Sequence, residues 1–171
     1  MLTFGHGRLG RDELSTLLTG AGVESVVDVR RFPGSRHNPA AAGGAIEDLV
    51  SGLGLVYRQD ERLGGRRRLS KAQDAASPDT WWQVPAFRAY AGWTRSDDFR
   101  AGLADLVAEA GERRTAIMCS EAVWWRCHRR LISDVLTLEN AMPVQHLMHG
   151  GRLIEHPVSD GASVGPDGRL V

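Results

Sequence analysis

The stretch VESVVDVR, residues 23–30, decides the fold class. Val23, Val26, Val27 and Val29 fall on both alternations of an extended chain, and Gly20 and Gly22 stand just before them. A β-branched run that is apolar on both sides reads as a strand covered on both faces, the situation of a parallel sheet with helices above and below. Working outward, LTFGHG (2–7) is the first strand, and a helix near Asp12 to Thr19 follows with Leu14, Leu17 and Leu18 on one face. Asn38-Pro39 supplies an N-cap and a first helical residue for a helix through about Leu49. LGLVYRQ (53–59), TAIMC (115–119) and VQHLM (144–148) read as three further strands, and RLIEHPV (152–158) as an antiparallel C-terminal edge hairpin with the fifth. Ser96 is the N-cap of a helix carrying Phe99, Leu103, Leu106 and Val107, and another helix runs from about Trp125 to Leu138.

The alternation of strand and helix predicts an α/β fold: a single three-layer domain over residues 1–158, with a mainly parallel sheet and helices on both faces. Residues 60–95 lack periodicity and hold Gly64-Gly65, Pro78 and Pro85, so they read as a long excursion with little regular structure. The Gly-rich tail, 159–171, reads as loosely held.

At 42% apolar and 25% charged residues, the chain of 171 has the composition of a folded domain. Its net charge of zero gives no whole-molecule pull toward nucleic acid or membrane. The basic residues are nonetheless almost all arginine, the residue suited to forked recognition of phosphate and carboxylate. Two cysteines are too few to staple a secreted fold, no signal peptide precedes the first strand, and no apolar run approaches a membrane span. The expected location is the cytoplasm, with reduced thiols and no membrane partner. Neither oligomeric state nor a cofactor is legible.

Ligands of open α/β sheets bind beyond the carboxyl ends of the strands. Three clusters fall there: His6 after the first strand; Asp28, Arg30, Arg31 and Arg36 after the second; Cys119, Glu121 and Arg126 after the fourth. The segment CSEAVWWRCHRR (119–130) puts Arg126, Arg129 and Arg130 in the first turns of a helix, where cations are disfavoured unless an anion sits among them. That anion is either Glu121 or a bound ligand. Cys119, at a strand end with arginine nearby, is a candidate nucleophile or a small core residue. Cys127 reads as inward packing. A metal site of Cys119, Cys127 and His128 is a reserve reading, because neighbours 127 and 128 on a helix would point apart.

Gly5-His6, DVRRFPGSRHNP (28–39), LGG (63–65), FRAYA (87–91) and C-x-E-x5-C-H-R (119–129) occur in this order. Together they resemble the family called domain of unknown function 488, over roughly Thr3 to His156. The resemblance implies a single α/β domain and draws attention to His6, Asp28, Arg30, Pro33, Ser35, Arg36, Gly64, Gly65, Tyr90, Cys119, Glu121, Cys127, His128 and Arg129. Two departures stand out. Gly7-Arg8 follow the GH where members often carry a small polar residue and Asn, and Trp124 stands where they usually carry Pro.

Three functions follow as expectations. The first is a pocket for a small anionic or nucleotide-like ligand. It would serve a transferase or hydrolase using Cys119, Glu121 or His6 as catalytic groups, with Asp28, Arg30, Arg36, Arg126, Arg129 and Tyr90 binding substrate. The second is a nucleic-acid-binding module built on the Arg/Trp-rich segment 58–95. The third is a metal or haem protein using Cys127 or His128.

Overall fold

Every residue of the strand Ser25–Asp28 is buried, because it has a strand on each side and helices on each face. A computed structural model describes residues 1–34 and 38–170. Six strands, β1 (Leu2–Gly5), β2 (Ser25–Asp28), β3 (Val56–Gln59), β4 (Thr115–Cys119), β5 (Gln145–Leu147) and β6 (Leu153–Glu155), form one sheet in the order β3-β2-β4-β1-β5-β6. The first five are parallel, and β6 closes the edge antiparallel to β5. The helices are α1 (Arg11–Gly20), α2 (Gly43–Gly52), α3 (Lys71–Ala75), α4 (Pro85–Trp93), α5 (Asp97–Glu112) and α6 (Arg129–Asn140).

Side chains alternate across a strand, so each strand feeds two cores. Phe4, Val26, Ala116 and Met118 pack with Leu14, Leu18, Ile46 and Leu49 of α1 and α2. Val27, Ile117 and Cys119 pack on the opposite face with Tyr90, Phe99, Leu106, Leu131 and Val135 of α4, α5 and α6. The result is a single α/β domain of three layers with a mostly parallel sheet and an antiparallel edge. Among the described residues no helix is long and apolar enough to cross a membrane.

Three details differ from the sequence reading. The helix expected to begin at Asn38 is split into a 3-10 turn at Pro39–Ala41 and helix α2, with Ala42 extended between them. Here the Arg30 guanidinium donates to the Ala41 carbonyl at 2.7 Å, taking that oxygen from any continuing helical ladder. The excursion of residues 60–95 contains α3 and α4. Pro85 at the start of α4 is a favoured first-turn residue, but the buried side of α4 is Ala89, Tyr90 and Ala91, too weak an apolar stripe to stand out. Finally, α6 starts at Arg129, after a 3-10 turn at Trp124–Arg126. In the tail, Ser159 and Leu170 are buried; the Leu170 N–H donates to Glu139 and its carbonyl accepts from Arg95.

Candidate functional site

The register of β1, β2 and β4 brings the three sequence clusters together. Gly5 lies opposite Cys119, and Asp28 opposite Met118. The loop after β4 then folds over β1: His6 N donates to the Cys119 carbonyl at 2.9 Å and Gly7 N to Ser120 at 3.0 Å. A Cβ on Gly5 would stand 1.7 Å from the Glu121 carbonyl oxygen, so this crossing requires glycine.

At the end of β2, Asp28 and Arg30 form a buried forked pair, with Arg30 Nε 2.8 and 3.0 Å from the two carboxylate oxygens. The Tyr57 hydroxyl donates to Asp28 at 3.0 Å; burial and then Asp28 push the phenol well above its usual range. Arg30 also donates to His6 Nε2 at 3.2 Å. Guanidinium has no acceptor, so Nε2 carries the lone pair and His6 Nδ1–H donates to Gly7 O at 3.0 Å. Burial first, with repulsion from Arg30 and Arg129, lowers the His6 pKa and keeps the ring neutral. Arg36 lies outside the described residues.

On the other face Cys119, Cys127 and His128 converge, their ligating atoms all within 4.8 Å of one another. His128 Nδ1 is 3.8 Å from Cys119 Sγ and 3.6 Å from Cys127 Sγ. Its Nε2–H donates to the Val29 carbonyl at 3.2 Å, which fixes the ring. Convergence of adjacent residues is possible because Cys127 is extended (φ −123°, ψ 151°) and His128 is the helical N-cap. A hydrogen bond to Cys127, together with burial, pushes the Cys119 thiol up. Burial opposes charge on Cys127 too, but the bond from Cys119 and the neighbouring His128 and Arg129 outweigh it and hold Cys127 low. The Tyr90 ring packs edge-on to His128 at 5.1 Å, while its hydroxyl donates to the Leu63 carbonyl at 2.6 Å.

The other expected anion contacts are placed differently. Arg129 is buried and donates to the Glu121 carbonyl and, at 3.4 Å, to Thr3 Oγ1; its Nε has no hydrogen-bond partner among the described residues. Glu121 and Arg126 are exposed, and among the described residues the Glu121 carboxylate forms no ion pair.

Beside the thiol cluster runs a basic groove of about 1060 Å³, lined by Arg31, Phe32, Arg66, Arg67, Arg68 and Lys71 among others. Gly64 and Gly65 seat its loop. A Cβ on Gly64 would come within 2.8 Å of Arg31 backbone N, and one on Gly65 within 2.8 Å of His128 Nδ1. Arg66 then takes a left-handed conformation (φ 59°), a costly choice for a residue with a side chain. Phe32 is 56% exposed, with the Arg31 and Arg66 guanidinium groups 5.3 and 5.9 Å from its ring centroid. Arg67 lies 3.6 Å over the Trp93 ring. Burial, then repulsion from Arg31, lowers the Arg67 pKa. The sequence signal was the run Arg66-Arg67-Arg68, which reads equally well as a solvated loop.

A fourth cluster had no sequence signal. Asp134, His156, His146 and Thr3 form a buried chain with successive contacts of 2.9, 3.0 and 2.7 Å. Trp124 stacks on His146 at 4.2 Å. Burial, then His156 and Arg129, lower the His146 pKa to about 3.

The fold and this arrangement define an α/β domain with the Asp28–Arg30–His6 and Cys119–Cys127–His128 clusters gathered at the carboxyl edge of its sheet. Residues 11–136 match the family described as Domain of unknown function DUF488, and the chain belongs to that family. No curated protein and no solved structure matches the chain.

Proposed function

We propose that this protein binds a small anionic, nucleotide-like molecule in the groove between Arg31 and the Arg66–Lys71 segment. The observation that carries the reading is the charge of the groove in a chain of zero net charge. Its lining has five cationic side chains against the single carboxylate of Asp74, and Asp74 is engaged by Arg88 at 3.1 Å. Among the described residues none of the five is in an ion pair. Like charges gathered without counter-charges repel, and an anion among them removes that repulsion. The volume is at the upper end of the range for small-molecule sites. Exposed Phe32 offers a flat face for an aromatic base, as the guanidinium groups offer forks to phosphate.

In this reading the anion clamp is Arg31, Arg66 and Arg68. The Arg30 and Arg129 guanidinium groups already have partners within the chain. Asp28, Arg30 and His6 brace the β2 end that presents Arg31. Cys127 and His128 lie beyond Gly65, outside the lining of the groove.

The nucleic-acid reading keeps less of its aromatic support. Trp82 and Tyr90 are buried in the core, although Trp81 and Phe32 remain exposed. Calorimetric titration with pyrophosphate, a nucleoside triphosphate and a short oligonucleotide tests the proposal. The expected result is binding of the first two that weakens with salt, and loss of the triphosphate's advantage over pyrophosphate in Phe32→Ala. Absence of binding by either at low ionic strength would refute it.

A further inference from the structure

We propose that Cys119, Cys127 and His128 form a binding site for a soft divalent cation of the zinc class. The two Sγ atoms and His128 Nδ1 would be its ligands, with one position left for a ligand from outside the triad. The site stands independently of the anion groove, since none of its three ligands lines that groove.

The donor geometry is the first support. A tetrahedral ion with metal–sulfur bonds of about 2.3 Å and metal–nitrogen bonds of about 2.0–2.1 Å has sulfur–nitrogen edges of roughly 3.6 Å. The two sulfur–nitrogen separations are 3.8 and 3.6 Å, and all three donor atoms fall within 4.8 Å of one another. The two sulfur–nitrogen edges thus already have about the length that an ion requires.

The setting of the imidazole is the second. Ligating histidines commonly give their other N–H to a carbonyl or carboxylate, which fixes the tautomer and aims the lone pair at the metal. His128 Nε2–H is held by the Val29 carbonyl at 3.2 Å, which leaves the Nδ1 lone pair facing both sulfurs in the neutral ring. Tyr90 packs against the same ring. Gly65 packs on this ring as well: a Cβ there would come within 2.8 Å of Nδ1, 3.0 Å of Cγ and 3.3 Å of Cε1.

Two soft thiolates with one imidazole suit zinc, cobalt(II) and related ions rather than magnesium or calcium. Both sulfurs bind as thiolates, their protons passing to solvent. Three protein ligands with one open position is the arrangement of a catalytic rather than a purely structural centre.

Cobalt(II) is the probe. The full chain, reduced and stripped with a chelator, should take up one cobalt ion with strong thiolate-to-cobalt absorption, and zinc should bleach it. Cys119→Ala and Cys127→Ala should lose that absorption, and His128→Gln should change its shape and weaken binding more than tenfold. Should a variant fail to fold, the wild-type chain still decides the matter. One equivalent of zinc should protect both cysteines from alkylation, read by mass spectrometry. No cobalt uptake by the reduced protein, or uptake retained in both alanine variants, would overturn the site. So would cysteines that zinc leaves fully open to alkylation, or that pair in a disulfide whose reduction restores no metal binding.

Discussion

Cys127 Sγ and His128 Nδ1 face each other at 3.6 Å although the two residues are neighbours in the chain. Consecutive helical residues point about a quarter-turn apart, and these two meet only because the helix begins one residue later. The segment C-x-E-x5-C-H-R (119–129) thus closes on itself. The strand end gives Cys119, the extended residue gives Cys127, and the N-cap gives His128.

The glycine pair that seats the groove loop makes a graded series of variants. Gly65→Ala pushes against a ring held by Val29 and should cost about 1–3 kcal/mol. Gly64→Ala meets the backbone of Arg31 and of Glu61, at 2.8 and 2.9 Å, and should cost more. Gly20→Ala, at the end of α1 with nothing within 4 Å, should be neutral or stabilising by up to about 1 kcal/mol. Urea unfolding gives the order.

Removing Asp28 leaves the Arg30 charge buried without its partner. Asp28→Ala should destabilise by about 3–5 kcal/mol, and the double variant Asp28→Leu/Arg30→Met should recover most of the loss. A denaturant double-mutant cycle reads both.

His146 links stability to pH. Its pKa falls from 6.5 in the unfolded chain to about 3 in the fold, so between these values the unfolded state binds the extra proton. Its contribution is complete above pH 6.5 and is lost as pH drops toward 3, at up to about 1.4 kcal/mol per pH unit. His146→Gln should flatten the acid side of the stability profile by that amount. His6, lowered in the same direction, leaves a smaller slope in both proteins. An unchanged profile in the variant would mean that His146 is charged in the fold.

Arg31→Ala and Arg68→Ala should each weaken pyrophosphate binding about tenfold, the equivalent of one charge-assisted hydrogen bond. Thermal stability should stay within the small range of surface substitutions. Arg126→Ala should leave binding unchanged. A loss there instead would move the ligand to the turn after β4.

The sheet was legible in the sequence because its strands carry their own signal. VESVVDVR and TAIMC are β-branched and apolar on both alternations, as strands buried on both faces must be. Helices α3 and α4 were not: α3 buries no residue, and α4 buries two alanines and a tyrosine. For the site, the approach of His6, Asp28 and Cys119 could be read from their places at the ends of parallel strands. The groove could not, because Arg31 and Arg66 meet only through the close approach that Gly64 permits. The Thr3–His146–His156–Asp134 chain joins β1, β5, α6 and the segment after β6, and nothing local in the sequence marks it.

The most direct test of the central claim is a crystal of the protein soaked in tungstate, a heavy oxyanion that stands in for phosphate. The expected result is an anomalous peak between the Arg31, Arg66 and Arg68 guanidinium groups, displaced when pyrophosphate is added. A groove without such a peak, in crystals that bind tungstate at Arg126 or elsewhere, would contradict it.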